Sequence, residues 1–293
     1  MDKKRLIIYL LLSFGISWVI FIVYGATGHK WDGTNPYMES LVGMGMLVPF
    51  IAHLLTRYIT KEGFALTGKD SLMLGMDFKN KKWIFFILAI ILPWIYFELG
   101  YSLMAAAVPE IFDAGYYKEL GLDKVLVAAM PFSAIINRVI GSALALGEEG
   151  GWRGYMMPKL INIFGVKKSV FIGGIIWGLW HAPLTVIGHN FGTDYPGYPF
   201  VGFLFMCVIC TFIGIMLTYI TMKTGSIWPA TFMHAVNNAH PSVMMYFLNT
   251  PKYEELKRPV MLDQAIIFAP MVMMGIICLV LLFRDVKNKK TVV

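Results

Sequence analysis

Apolar residues in this chain gather into stretches of about 20 rather than into short amphipathic periods, and a helix of that length crosses a hydrocarbon layer of roughly 30 Å. Eight stretches are predicted to span: Leu6–Ala26, Met38–Ile59, Trp83–Val108, Val125–Leu146, Lys168–Gly188, Phe200–Met222, Ile227–Asn249 and Gln264–Phe283. The pattern predicts an all-α, polytopic membrane protein, a bundle of eight transmembrane helices. The first apolar stretch is too long for a cleavable signal peptide and is not closed by a small-x-small site, so it is expected to stay as a span.

The polar segments between the spans orient the bundle through their lysines and arginines. Lys3, Lys4 and Arg5 precede the first span; Arg57, Lys61, Lys69, Lys79, Lys81 and Lys82 separate the second from the third; Arg153, Lys159, Lys167 and Lys168 separate the fourth from the fifth. Lys223 lies between the sixth and seventh spans, and Arg284, Lys287, Lys289 and Lys290 follow the eighth. The alternate loops carry fewer basic residues, and the segment from His189 to Pro199 carries none. Both termini are therefore expected in the cytoplasm.

Composition sharpens this picture. With 57% hydrophobic and 15% charged residues, the chain is not an ordinary soluble domain. The net charge of +7 follows from the loop bias and from attraction to anionic lipid headgroups, so membrane lipids and not nucleic acid are the expected partners. Cys207, Cys210 and Cys278 all fall inside apolar spans. That placement implies neither a disulfide framework nor a thiolate metal site, although Cys207-x-x-Cys210 matches a redox spacing formally.

Against this background the polar residues inside the spans stand out. Glu98 and Arg138 are a lone acid and a lone base on consecutive spans, and each is costly at the membrane centre, so they are expected to pair. His53 reads as a packed histidine. The stretch Leu146 to Tyr155 holds two adjacent carboxylates, Glu148 and Glu149, followed by Arg153. Such a cluster is either a solvated helix end or a buried functional group. His181 lies well inside the fifth predicted span. On the seventh, His234 and Asn238 are four residues apart and share one helix face, Asn237 points elsewhere, and Pro241 is expected to kink the helix one turn further on.

Each of these residues alone has an ordinary structural reading, as a hydrogen-bonded histidine or an asparagine joining helices. Together they supply a base, electrophilic donors and an orienting group, the set that activates water and stabilises an oxyanion. Depth is the difficulty. Counted from the basic loops at helical rise, His181 lies ~20 Å and His234 ~12 Å into their spans, whereas Glu148 sits near a span's end. Either Val166 to Gly173 is still partly outside the bilayer core, or the fourth span is kinked so that Glu148 dips inward.

Glu148-Glu149-x-x-x-Arg153, Trp177-x-x-x-His181 and His234-x-x-x-Asn238 resemble, in order and spacing, the three signatures of the CAAX-protease and bacteriocin-processing family of intramembrane proteases, which includes the Ras-converting CAAX endopeptidase. Trp177 stands where phenylalanine is commoner. The resemblance implies a helical bundle with a polar chamber open to the cytoplasm, and peptide-bond hydrolysis in a membrane-associated peptide or lipidated protein. It implies residues 1–124 as an N-terminal helical region, 125–248 as the catalytic core and 249–293 as a final loop, span and tail. By position, Glu148 would be the general base, His181 its partner in holding water, and His234 and Asn238 the oxyanion site. Glu149 and Arg153 would be structural partners, with Trp177 as an aromatic wall. Two chemistries stay open: a metal-free, glutamate-activated water, or a zinc held by Glu148, His181 and His234. A non-catalytic immunity or scaffold protein of the same fold is the alternative reading, and a transporter a further one, although no internal repeat supports it.

Overall fold

The computed structural model describes residues 1–28, 31, 38–68 and 70–288. Lys30, Lys69, Lys289 and Lys290 lie outside the described residues. Long helices α1 (Asp2–Ala26), α2 (Met38–Thr60) and α3 (Trp83–Ala107) come first, then a short α4 (Tyr116–Glu119). Next are α5 (Lys124–Ile140), α6 (Ala143–Gly151), a π-helical turn at Trp152–Met156, α7 (Met157–Trp180) and a one-turn α8 (Ala182–Val186). The chain closes with α9 (Phe200–Thr224), α10 (Trp228–Asn237), α11 (Thr250–Glu255) and α12 (Val260–Lys287). The fold is all-α; the β structure among the described residues is an isolated bridge between Phe112 and Leu248.

Six helical stretches among the described residues are long and apolar enough to cross a membrane: α1, α2, α3, the 38-residue run Ala143–Trp180, α9 and α12. This corrects two of the eight predicted spans. Val125–Leu146 is not one helix, because the chain breaks at Gly141 and Ser142 between α5 and α6. The piece from Ala143 instead continues through the π turn into α7, with a further bend at Gly165, whose φ of 72° suits glycine. Ile227–Asn249 also fails as a single span, since α10 ends at Asn237. His240 takes a left-handed φ of 47° and Pro241 has no amide hydrogen to donate, so Pro241 follows the end of a helix rather than kinking one.

The break at Gly141 moves Glu148. Helix α6 runs alongside α2 in the same direction, and the packing is tight enough to need glycine: a methyl on Gly147 would lie 2.5 Å from the Met46 carbonyl oxygen, and one on Gly151 2.4 Å from Pro49 Cβ. Met46 is eight residues into α2, or ~12 Å at helical rise, with ~21 Å of helix left before Thr60. Glu148 is thus carried to the middle of the bundle. The same device joins α7 to α9, where Gly174 faces Thr211 and Gly178 faces Cys207 in antiparallel packing.

The bundle has two distinguishable ends. At one end lie the start of α1, the α2–α3 loop, the start of α7 and the ends of α9 and α12. Asn162 Nδ2 donates to Asp2 Oδ2 at 2.9 Å there, the Ile227 amide donates to the Met73 carbonyl at 3.0 Å, and Lys223 meets Asp285 at 2.9 Å. At the other end the Trp31 amide donates to the Ile187 carbonyl at 2.7 Å, and the Asn249 amide to the Ile111 carbonyl at 2.8 Å. Glu62, just beyond α2, ties the first end together: it accepts from Lys159 Nζ at 2.7 Å, Tyr155 Oη at 2.6 Å and Thr60 Oγ1 at 2.8 Å. Burial opposes its charge, but these donors prevail and hold its carboxyl at about 2, below the ordinary 4.5.

The expected Glu98–Arg138 pair does not form. Glu98 Oε2 accepts from Ser242 Oγ at 2.9 Å and from the Val243 amide at 2.7 Å, donors released where α10 has ended. Arg138 is exposed and makes no ion pair among the described residues. His53 is packed as read: its Nδ1 donates to the Gly150 carbonyl at 2.8 Å and its Nε2 accepts from Arg57 at 2.6 Å.

Two predictions follow from the packing. Gly151→Ala should lower the thermal midpoint of the detergent-solubilised protein, since overpacking of this kind costs about 1–3 kcal/mol, while Gly15→Ala, also helical and meeting no neighbour, serves as the unpacked control. Because the folded-state pKa of Glu62 is depressed, its contribution to stability is full above about 4.5 and fades as pH falls toward about 2. A melting series over that window should show a smaller acid-induced loss in Glu62→Gln than in the parent.

Candidate active site

Glu148 is 2% exposed and sits on the last turns of α6, where the π turn that follows swings Trp152 beneath it. One carboxylate oxygen, Oε2, accepts from two indoles: Trp177 Nε1 at 2.7 Å and Trp152 Nε1 at 3.2 Å. The other oxygen makes no hydrogen bond among the described residues, and Glu148 lines a cavity of about 760 Å³. An ionised carboxylate accepts through both oxygens, so the clamp fixes its orientation and leaves Oε1 to meet whatever enters.

Glu149 points the other way and is fully buried. Its Oε1 accepts from Arg153 at 3.0 Å and from His234 Nδ1 at 2.8 Å. The ion pair with Arg153 is the one expected at i+4 spacing. The contact with His234 is new, and it corrects the reading of Glu149 as a support for Arg153 alone. A carboxylate on Nδ1 fixes the imidazole as an Nδ1 donor and stabilises its protonated form, in which Nε2 is a donor as well.

His181 caps the end of α7, and its Nδ1 lies 2.9 Å from the Trp177 carbonyl, one turn earlier. A carbonyl only accepts, so Nδ1 carries the hydrogen and Nε2 of the neutral ring is left as a base or acceptor. Trp177 is the hub of the cluster. Besides bonding Glu148, its ring lies 5.3 Å from that of His234 and 6.0 Å from that of His181, with the Arg153 guanidinium 4.3 Å from its centroid. Its expected role as an apolar wall understates it, since a phenylalanine has no N–H to offer Glu148.

At the end of α10, Asn237 Oδ1 accepts from Tyr96 at 2.6 Å, and Asn237 Nδ2 donates to Asn238 Oδ1 at 3.2 Å. That leaves the Asn238 Nδ2 hydrogens for the cavity. Asn237, expected to point elsewhere, lines the same cavity and positions its neighbour. Glu148, Trp177, His181, His234 and Asn238 all line this cavity; Glu149 and Arg153 stand behind it. Arg138, His189 and His240 also line it. The sequence singles out Arg138 as a partner for Glu98 and not as part of the site, while His189 and His240 lie in loops, for which spacing gives no signal.

Zinc was the other chemistry that the residues allowed. Among the described residues no three His, Cys, Asp or Glu side chains converge as a metal-holding group. Glu148 Oε2 is held by two indoles, His181 Nδ1 by the Trp177 carbonyl and His234 Nδ1 by Glu149, which leaves Glu148 Oε1 and the two Nε2 atoms as the donors that would hold a zinc, so both chemistries stay open.

The cavity also has a direction. Its deep part is formed by Glu148, Trp177 and His234, while Trp31, Ser40, Asn190 and Gln264 line it further out. These four lie at the end of the bundle opposite the start of α1 and the end of α12. A chamber open to the cytoplasm and cytoplasmic termini were both expected; with the cavity at the far end, they do not hold together.

The fold and the site define a class: a multi-pass helical membrane protein with a buried Glu, two His and an Asn around one internal cavity. Residues 127–240, which contain all seven motif residues, match the family model of type II CAAX prenyl endopeptidase Rce1-like proteins. CAAX prenyl protease 2 of Methanococcus maripaludis is 29% identical over 99 residues, 33% of this chain and 36% of that protein. The chain thus aligns with about a third of the length of that curated relative. Over this region the chain is similar to Rce1-like CAAX proteases, in keeping with the wider CAAX-protease and bacteriocin-processing superfamily.

The indole clamp is testable. Trp177→Phe keeps the ring contacts but removes one charge-assisted hydrogen bond, worth about 1.5–3 kcal/mol. In the peptidase reading proposed below, kcat should fall roughly 10- to 100-fold with the fold retained, and a variant with parental kcat would remove the bond from any functional role.

Proposed function

We propose that this chain is an intramembrane endopeptidase that hydrolyses a peptide bond of a membrane-associated or lipidated peptide through a water activated by Glu148. One observation carries the reading: the Glu148 carboxylate is held at one oxygen by two indoles and free at the other, facing the cavity shared by His181, His234 and Asn238. The match of residues 127–240 to the Rce1-like family model supports it.

In this reading, Glu148 Oε1 takes a proton from a water that His181 Nε2 helps to hold, and the resulting hydroxide attacks the scissile carbonyl. The tetrahedral oxyanion is met by His234 Nε2–H and Asn238 Nδ2–H, both set in place from behind, by Glu149 and by Asn237. The proton on Glu148 then passes to the leaving amine. Helices α1, α2, α3, the two arms of the Ala143–Trp180 run on either side of Gly165, α9, α10 with the segment beyond it, and α12 make the eight crossings that wall the chamber, with α5 alongside. Residues 125–248 act as the catalytic core in this proposal.

The two glutamates are expected to differ. Cleavage of a membrane peptide by the purified protein in detergent should drop at least about 100-fold in Glu148→Gln and His181→Ala, the scale of a lost general base. Glu149→Gln, which keeps a hydrogen-bond acceptor for His234, should lose less. Parental activity in both Glu148→Gln and His181→Ala would overturn the proposal. Activity abolished by chelation and restored by zinc would replace the metal-free mechanism with a zinc-dependent one.

A further inference from the structure

We infer that the cavity is entered from the extracytoplasmic face of the membrane, so that its substrates are peptides present in or at the outer leaflet rather than tails of cytoplasmic proteins. The inference deepens the peptidase reading of the same site but rests on separate observations, the placement of charge and of the cavity along the bundle.

Charge divides sharply between the two ends. The end holding the start of α1 and the α2–α3 loop carries Lys3, Lys4 and Arg5, then Lys79, Lys81 and Lys82, and at the Gly165 bend Lys167 and Lys168. Lys223 and Arg284 close it, at the ends of α9 and α12. Short connections of this kind, rich in lysine and arginine, stay in the cytoplasm during insertion, because moving them across the membrane is opposed by the potential and by anionic lipid on the inner face. The opposite end has Lys118, Lys124, Lys252, Lys257 and Arg258, interspersed with acids. Two of these bases are already paired, Arg258 with Asp263 at 2.8 Å and Lys252 with Asp113 at 3.6 Å.

The cavity belongs to that second end. Ser40 stands at the outer start of α2, Asn190 follows α8, and Gln264 is in the first turns of α12. The segment from His189 to Pro199 contains no lysine or arginine at all, so nothing in it favours cytoplasmic retention. No cavity-lining residue comes from the basic loops. On that side the route is closed by the packed cluster of Glu62, Lys159, Tyr155 and Arg57, all buried. A substrate coming from the cytoplasm would have to open an ion-paired seal, whereas one at the other face meets the cavity directly.

Sidedness can be read without any substrate. Ser40→Cys and Thr193→Cys place thiols at the cavity end, and Lys168→Cys places one at the basic end, with the parent chain giving the background of its three natural cysteines. Intact cells are treated with a membrane-impermeant maleimide, and labelling is divided by that found after permeabilisation. The ratio should approach one for Ser40→Cys and Thr193→Cys and stay near background for Lys168→Cys. A ratio for Lys168→Cys equal to or above those of the two cavity-end variants overturns the inference. Because the readout needs no turnover, labelling as expected together with a purified protein that cleaves no peptide would sink the peptidase reading and leave the sidedness standing.

Discussion

Two adjacent carboxylates buried in the middle of an apolar bundle set the terms for the rest of this molecule. Taking a charged side chain out of water costs several kcal/mol even after relaxation, and Glu148 and Glu149 are both essentially inaccessible. Each is held differently. Glu149 is neutralised by Arg153 and bonded by His234. Glu148 has no cation in direct contact and is held instead by two neutral indole donors at a single oxygen. An arginine fork occupies a carboxylate, whereas the two indoles leave one oxygen of Glu148 unbonded on the cavity side. The two glutamates therefore differ within one helical turn: one is held on the cavity wall with an oxygen to spare, the other is tied into the packing behind it.

The backbone serves that division. Successive residues on an α-helix point about 100° apart, so Glu148 and Glu149 reach different neighbours without distortion, but Trp152 and Arg153 must return one turn later to meet them both. The π turn at Trp152–Met156 widens the helix where those two side chains and Tyr155 are packed, as such bulges often do at functional sites. Glycines at 147, 150 and 151 let α2 approach closely enough to close the other side. Were α6 a regular continuation of α5, this cluster would lie near the membrane surface, where water would screen every interaction in it.

Much of this was legible in the sequence, and for identifiable reasons. Spans such as α1, α3, α9 and α12 are uniform apolar runs, so length and hydropathy suffice to mark them. The Glu149–Arg153 pair follows from i+4 spacing, and the polar residues of three separated segments gather in one cavity. What was missed depends on where helices stop. Hydropathy does not register the break at Gly141 or the end of α10 at Asn237, because the residues beyond each break are still apolar enough to sustain a window average. Those two stops decide the depth of Glu148, free Ser242 and the Val243 amide to take Glu98 away from Arg138, and turn Asn237 toward Asn238. Spacing rules that assume one continuous helix misplace each of these.

The direction of the cavity follows from the same stops. Helix α10 starts at the basic end and is 10 residues long, ~15 Å at helical rise, so it reaches only part of the way across a ~30 Å core. Beyond its end the chain goes on along α3 without helical structure, past Glu98 to Phe112 at the far end, and the space that a full-length helix would have filled lies on the side away from the basic loops. Helix α5 enters from that side and stops at Ile140, while α7 ends at His181 and is followed by the short α8. An internal volume walled by helices that stop short is necessarily widest where they are missing. With His234 on the last turns of α10 and His181 closing α7, the reactive groups sit at the floor of that volume, and the basic, ion-paired end lies behind them. A bundle that buried the same residues but opened toward its basic end would need α10 to start where it now stops.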